Sequence, residues 1–323
     1  MRAAVYRTTG PARDVLRVEE VARPEPGPGE VLVRVRASGV NPTDVKTRSG
    51  ATPRPIDEFQ VPNQDGAGII EAVGDGVGQA RVGQRVWVWF AAFGRRWGTA
   101  AEYTVVPGRQ AVPLPDEASF ELGASLGVPA MTAHRALFAD GPVSGKTVLV
   151  AGGAGAVGHY AIELAKRAGA RVVTTVSGPE KGELARKAGA DLVVNYRDPD
   201  AVSQVKAFAP TVDQVVEVAL GANLELDLAV SGPGTTVVTY AAGGADPALP
   251  IRACMTANVT LRFILLYGVP APALDAAVTD ITAALSAGAL TELPPHRFGL
   301  DETAAAHEAV EAAAVGKVLI IPA

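Results

Sequence analysis

The sequence predicts an α/β protein in which a doubly wound parallel sheet of dinucleotide-binding type follows an antiparallel, β-rich unit. Three observations predict it. The spacing GxGxxG at Gly153, Gly155 and Gly158 lies directly after the apolar run "TVLV" and directly before a helical pattern. From about Ala124 apolar runs and helical patterns alternate, as a parallel sheet with crossover helices requires. Before that point the chain reads as strands punctuated by Pro and Gly.

At 323 residues the chain exceeds one typical domain and suits two. Hydrophobic residues make up 48% and charged ones 20%, which carries no signature of disorder. A net charge of −5 without a Lys/Arg cluster argues against nucleic acid as a partner. The nearest approach to a cluster, "GRRWG" at Gly94 to Gly98, reads as a solvated turn rather than an anion site. Cys254 is the only cysteine, so no disulfide framework or thiolate zinc site can form within the chain. The start "MRAAVYRT" lacks a signal-peptide core and no later run suits a bilayer span, so the expectation is a soluble cytoplasmic protein without a membrane partner.

In chain order, "MRAAVYR", "VLVRVRASGV", "GIIEAVGDGV", "QRVWVWF" and "AEYTVV" are β-rich. Alternation in "VLVRVRA" puts valines on one face and arginines on the other, as in an antiparallel, barrel-like unit. "TVLVAGG" then leads to the helix "AVGHYAIELAKRAG", "RVVTTV" to "GPEKGELARKAG", and "DLVVNY" to "PDAVSQVKAFA". "QVVEVAL", "LELDLAV", "GTTVVTY", a short helix near "IRACMTA" and "VTLRFILL" follow; in all, six apolar strands are separated by helical patterns. In the first of these helices Val157, Ala161, Leu164 and Ala168 share a face, and Gly169 supplies a left-handed stop. From about Val269 come the helix "LDAAVTDITAALSAG", a turn at "LPPHRFGLD", the helix "ETAAAHEAVEAA" and the strand "KVLIIP", which either cap the sheet or return to the first unit.

In the glycine loop, Gly153 is assigned the tight turn, Gly155 the close approach of backbone to a pyrophosphate, and Gly158 the close packing of helix on sheet. The pyrophosphate then lies on the helix N-terminus, where free N–H groups favour anions. An NAD site places a carboxylate at the end of the second strand to accept from the ribose 2′-OH. Here "TTVSGPEK" has Ser177, with Lys181 four residues on, a hydroxyl and an ammonium that suit a 2′-phosphate, and Tyr196 ends the third strand beside them. The charge logic favours NADPH; Lys181 as a surface residue and Tyr196 as a packing residue are the plainer alternatives.

Over essentially its whole length the chain resembles the zinc-independent quinone oxidoreductase (ζ-crystallin-like) family of the medium-chain dehydrogenase/reductase superfamily. The motifs "SGVNPTDVKTRSG", "GAGIIEAVGDGV", "VGQRVW", "GTAAEYTVV", "AMTAHRAL", "AGGAGAVGHYAIELAKRAGARVV", "ARKAGADLVVNYRD" and "AAAHEAVEAAAVGKVLIIP" occur in that family's order. The resemblance implies a Rossmann domain, residues 125–267, inserted into a GroES-like partial β-barrel formed by residues 1–124 and 268–323, with the active site between them. It implies Asn41 beside the nicotinamide ribose, Thr132 at the nicotinamide, and Ala156 and Val157 at the pyrophosphate. Ser177, Lys181 and Tyr196 would hold the 2′-phosphate, and Tyr240 with the backbone from Phe263 to Leu265 would complete the cofactor wall.

Against the zinc alcohol dehydrogenases of the superfamily, Asn41 stands for a Cys ligand and Gln64, in "NQDGAG", for a His ligand, and the four-Cys structural lobe is missing. His134, His159, His296 and His307 lack ligand spacing and read as surface or packing residues. Tyrosines that many quinone reductases carry near "RSG" and after "NxxD" are replaced by Ala51, Thr52 and Lys46. Substrate-pocket candidates are therefore Asn41, Asp44, Lys46, Trp89 and Trp97; the aromatics of "VWFAAFGRRWG" either stack on a planar quinone or pack the barrel rim. The implied activity is NADPH-dependent, zinc-free hydride transfer to a quinone or similar conjugated carbonyl. The alternatives are an enal/enone (alkenal) reductase, and a non-catalytic NADPH-binding structural or RNA-binding protein. The apolar last strand "VTLRFILL" suggests a homodimer through the Rossmann edge.

Overall fold

The computed structural model describes residues 1–243 and 246–322 and divides into two compact units, Met1–Val128 with Glu292–Ala323, and Pro129–Thr291. In chain order the first unit contains β1 (Arg2–Val5), α1 (Ala12–Val15), β2 (Arg17–Glu20), β3 (Glu30–Gly39), α2 (Pro42–Ser49), β4 (Asp65–Val73), β5 (Arg85–Val88), β6 (Tyr103–Pro107) and β7 (Ala111–Pro113). Helix α3 (Phe120–Phe138) contains the division, at Pro129. The second unit continues with β8 (Thr147–Ala151), α4 (Ala156–Arg167), β9 (Arg171–Val176), α5 (Pro179–Lys187), β10 (Leu192–Asn195), α6 (Ala201–Phe208) and β11 (Val212–Glu217). It ends with α7 (Leu220–Val230), β12 (Ser231–Thr239), α8 (Ile251–Ala257), β13 (Thr260–Phe263) and α9 (Ala271–Ser286). The chain then returns to the first unit with β14 (Pro295–Gly299), α10 (Thr303–Glu311) and β15 (Lys317–Ile321).

The first unit is built on a seven-stranded sheet of order β14-β15-β3-β4-β5-β7, with β6 also paired to β3. Its pairs are antiparallel except β14 with β15. Strand β3 can serve two partners on one edge because β6 takes Glu30 to Arg34 and β15 takes Ser38 and Gly39. Val31, Val33 and Val35 are buried and Arg34 is exposed, as the alternation requires; Leu32 is buried as well. The second unit is a six-stranded, wholly parallel sheet of order β10-β9-β8-β11-β12-β13, the doubly wound arrangement. All of β8 is buried, since helices on both faces favour unbroken apolar strands.

Two expectations are refined. The tail divides: α9 stays with the parallel sheet, and only β14, α10 and β15 join the barrel unit, so the division falls after Thr291 rather than near 268. The physical reason is that Leu274, Ala277, Ile281 and Leu285 of α9 are buried and Asp280 meets His134 at 2.8 Å. Helix α4 is buried more widely than on one apolar face, for Gly158 through Ala165 are all buried, including His159 and Glu163. Thr291 compensates those two, accepting from or donating to His159 at 3.2 Å and donating its backbone N–H to Glu163.

Candidate functional site

In the parallel-sheet unit the loop after β8 redistributes the expected glycine roles. The left-handed turn falls on Gly152, with φ 70°, not on Gly153. At Gly153 a Cβ would lie 2.1 Å from Thr174 Oγ1 and 2.8 Å from Ile162 Cδ1, so this residue is the close contact of loop with strand β9 and helix α4. A Cβ at Gly158 would strike the Gly152 carbonyl at 2.4 Å. Gly155 alone is exposed; a Cβ there would meet the Gly152 carbonyl oxygen at 3.3 Å, a tighter than ordinary contact but far less severe than at Gly153 or Gly158, and it caps α4 without a side-chain bond. Ala156 and Val157 follow half-buried, so the first turn of α4 presents backbone N–H groups of the kind that hold a pyrophosphate.

Ser177 directly follows β9 and is half-buried, and Lys181 lies on the first turns of α5. Tyr196 is brought beside them: its N–H donates to the Val176 carbonyl at 3.1 Å and its side chain is exposed. The structure thus gathers Ser177, Lys181 and Tyr196 at one end of β9 and β10, with no carboxylate at Ser177 itself. At the corresponding end of β11, Glu217 accepts from the Ala219 N–H and from Asn223 Nδ2 at 3.0 Å. Asp227 is wholly buried nearby with neither oxygen hydrogen-bonded by a donor. Burial, then the Glu217 charge, pushes Asp227 up to about 9, and burial raises Glu217 too. This pair retains a proton at neutral pH, because two carboxylates cannot both ionise there. Tyr240 follows β12 and its phenol is also raised, by burial and by Glu217. Thr132 is buried on α3, whereas Phe263 and Leu265 are exposed at 70% and 69%.

In the barrel unit Asn41 and Asp44 open α2. The Asn41 N–H donates to Asp44 Oδ2 at 2.8 Å and the Gln64 N–H to Asp44 Oδ1 at 3.1 Å. The Asn41 side chain is spent on both ends: Nδ2 donates to Asp65 Oδ2 at 2.7 Å, and Oδ1 accepts from Lys317 Nζ at 2.7 Å. Asp65 also takes the Val128 N–H at 2.9 Å, an approach that Gly127 permits, since a Cβ there would sit 2.1 Å from Asp65 Oδ1. Burial, reinforced by Asp65, pushes Asp44 up to about 8; burial pushes Asp65 up to about 6, opposed first by Lys317. Burial lowers Lys317 against the pull of both acids. At neutral pH the cluster therefore holds a neutral Asp44, and the Asn41 carboxamide links Lys317 to Asp65 through one hydrogen bond at each end.

A small pocket of the same unit adjoins this cluster, lined by Asp44, Asn63 and Gln64 together with Tyr6, Arg54 and neighbours. Gln64 is 3% exposed and its Oε1 has no partner. Of the other pocket candidates, Lys46 is exposed on α2. Trp89 is buried edge-on to Phe90 at 5.0 Å, and Trp97 packs edge-on to Phe59 at 5.4 Å. Both tryptophans thus follow the barrel-packing alternative. In "GRRWG", Arg96 pairs with Asp57 and Glu58, and Arg95 binds the Phe90 carbonyl and Gln110. Of the histidines, His134, His159 and His307 are buried packing residues and His296 is exposed. Sequence reasoning missed Asp65 and Lys317, although a lysine opening the apolar strand "KVLII" was a readable signal. It also missed Tyr6 and Arg54, which carried none.

Asn41 and Gln64 do not fit zinc. A carboxamide is a weak ligand, Asn41 already holds a buried ammonium, and no group of three or more His, Cys, Asp or Glu suited to a metal occurs among the described residues. No described helix is long and apolar enough to cross a membrane.

Comparison with known proteins agrees with this architecture. Residues 27–116 match the family model described as alcohol dehydrogenase GroES-like domain, and residues 156–282 the one described as zinc-binding dehydrogenase. Rat quinone oxidoreductase is 30% identical, over 99% of this chain and 98% of its own. A mycobacterial protein solved in complex with NADPH is 31% identical, with a TM-score of 0.86 and both chains covered in full. An NAD-dependent alcohol dehydrogenase structure, 27% identical, gives a TM-score of 0.90 over the whole of both chains. A GroES-like barrel unit joined to a glycine-cradled Rossmann sheet defines the class, the dinucleotide-using oxidoreductases. Within it, the chain belongs to the quinone oxidoreductase family of the medium-chain dehydrogenase/reductase superfamily.

Proposed function

We propose that the protein reduces a quinone or similar conjugated carbonyl with NADPH and without zinc. The observation that carries the reading is the buried Lys317–Asn41–Asp65 chain, in which an ammonium takes the carboxamide oxygen at a position where zinc relatives ligate metal. Without a Lewis acid the acceptor must be activated already, as a quinone is. When bound, NADPH supplies the hydride. The first turn of α4 holds the pyrophosphate, and Ser177, Lys181 and Tyr196 hold the 2′-phosphate by charge-assisted bonds. Asn41, fixed at both ends of its carboxamide, orients the nicotinamide ribose. The mycobacterial relative's NADPH complex supports this choice of cofactor.

A second reading, enal or enone reduction, is favoured by Asp44, whose neutral carboxyl next to the pocket offers a proton, whereas a reduced quinone can take its proton from water. Steady-state rates with NADPH and NADH against quinones and 2-alkenals separate the two. Quinones are expected to turn over faster, and a preference for alkenals would establish the second reading. Lys181→Ala is expected to weaken NADPH about tenfold, ~1.4 kcal/mol, and NADH little. Equal weakening of both would remove the phosphate assignment. The assembly we propose is a cytoplasmic homodimer paired along β13.

A further inference from the structure

His307 does more than fill space on α10. It is wholly buried, and its Nε2 lies 3.1 Å from Asn63 Oδ1. From Asn63 a run of buried hydrogen bonds continues: Asn63 Nδ2 to Ser38 Oγ at 2.9 Å, Ser38 Oγ to Thr99 Oγ1 at 2.7 Å, and Thr99 Oγ1 to the Asp65 carbonyl at 2.5 Å. The run has one direction. The Asp65 carbonyl can only accept, so Thr99 gives its proton there, Ser38 gives its own to Thr99, and Asn63 donates to Ser38. Asn63 Oδ1 then faces His307 and accepts, which puts the imidazole proton on Nε2. Turning the Asn63 amide over would leave one of these oxygen pairs with no proton between them. Burial, then the charge of Arg48, pushes His307 down to about 3, so the ring stays neutral at ordinary pH and serves as a donor, its Nδ1 having no partner.

The run ends on the segment that carries the site. Asn63 has φ 77°, a left-handed conformation uncommon outside glycine. Thr99 grips the segment on both sides of Gln64: its N–H donates to the Asn63 carbonyl at 3.0 Å and its hydroxyl to the Asp65 carbonyl. Gln64, between them, gives its N–H to Asp44 and accepts the Ala91 N–H at 2.9 Å. Asp65 in turn holds Asn41 through its carboxylate. Breaking a buried polar run is costly, because each group left without its partner keeps the cost of leaving water. The segment therefore follows the donor that starts the run, and that donor comes from the returning tail.

We propose that His307 is a positioning residue for the reduction: through Asn63, Ser38 and Thr99 it fixes the 63–65 segment, and with it Gln64, Asp65 and the Asn41 carboxamide. The inference rests on the functional reading above, because it takes Asn41 and Gln64 as the acceptor end. His307 itself touches no substrate; it acts by holding the groups that do.

The test compares His307→Leu, which keeps most of the bulk and removes the donor, with His307→Gln, whose carboxamide nitrogen can take the place of the imidazole Nε2. Thr99→Val cuts the run at its other end and gives the same readouts independently of how His307→Leu folds. The readouts on the whole protein are the Asp65 carboxyl titration by NMR with isotope-labelled aspartate, NADPH affinity by fluorescence, and steady-state rates with NADPH and menadione. Asp65 faces Lys317, Asn41, the Val128 N–H and the Asp44 carboxyl, and in wild type it is expected to titrate at about 6. Without the run, burial of Asp65 is less opposed by Lys317 and Asn41. In His307→Leu and Thr99→Val the carboxyl is therefore expected to titrate higher, by about 0.5 pH or more, and kcat to fall about tenfold, while NADPH affinity changes less than about threefold. His307→Gln is expected to return the titration to the wild-type value and kcat to within about threefold of it. An Asp65 titration that His307→Leu and Thr99→Val leave unmoved, or equal behaviour of the Leu and Gln variants, overturns the positioning role. The titration needs no turnover, so it decides the role even where wild type reduces no quinone, a result that would overturn the functional reading alone.

Discussion

At the scale of single residues, stability is traded against burial of charge in both units. Asp227 offers the cleaner test, because no cofactor-binding role is assigned to it. Its native value of about 9 is above the ordinary carboxylate range, so the folded protein binds a proton that the unfolded chain has released. Stability from this group is complete at pH below about 4 and is lost as pH rises toward about 9. Asp227→Asn removes the titration and is expected to be more stable than wild type at pH 9 by about 1–3 kcal/mol, with the advantage shrinking toward pH 5. Urea unfolding at three pH values checks it; a pH-independent difference would deny the shared proton. Residues of this kind were poorly legible in the sequence. Ser177 and Lys181 can be singled out from the sequence because strand, loop and helix fix their spacing locally. Asp65 and Lys317 were missed because 252 positions of chain separate two groups that only folding brings together.

At the scale of elements, the β8–α4 loop shows how pattern and geometry divide the work. The strand, the glycine spacing and the helix were all readable, since each is a short-range signal. Which glycine serves which purpose was not, because Thr174 and Ile162, the atoms that forbid a Cβ at Gly153, come from β9 and from the middle of α4. Two substitutions separate the roles. Gly153→Ala is expected to destabilise the fold by about 1–3 kcal/mol, as overpacking does. Gly155→Ala meets the Gly152 carbonyl oxygen at 3.3 Å, against 2.1 Å for the nearest atom at Gly153, and is expected to cost less stability than Gly153→Ala while weakening NADPH about tenfold, by intruding on the pyrophosphate. Thermal unfolding and fluorescence titration of the two variants check the pair, and the opposite pattern would exchange the assignments. Helix α9 is the counterexample: its sequence marks it as an amphipathic helix but not which unit it joins.

At the scale of the whole molecule, the parallel sheet ends at β13, an edge without a further strand among the described residues. The segment around it exposes Ile251, Met255, Phe263 and Leu265, at 61%, 71%, 70% and 69%. Such an apolar edge tends to be covered, and a second copy of the same strand is the simplest cover. Sedimentation velocity is expected to give a dimer, and Met255→Asp to shift it toward monomer; a wild-type monomer at micromolar concentration would reject the pairing.

The two kinds of sheet, the glycine spacing and the carboxamides at positions 41 and 64 were legible in the sequence, because periodicity, turn residues and residue identity are local properties. What needed the folded chain is that Lys317 holds Asn41, that Trp89 is buried and Trp97 packs against the barrel core, that α9 belongs to the unit of the parallel sheet, and that Tyr6, Arg54 and Gln64 share a pocket. Those are matters of which distant segments pack together, and burial then sets the charge each group can carry.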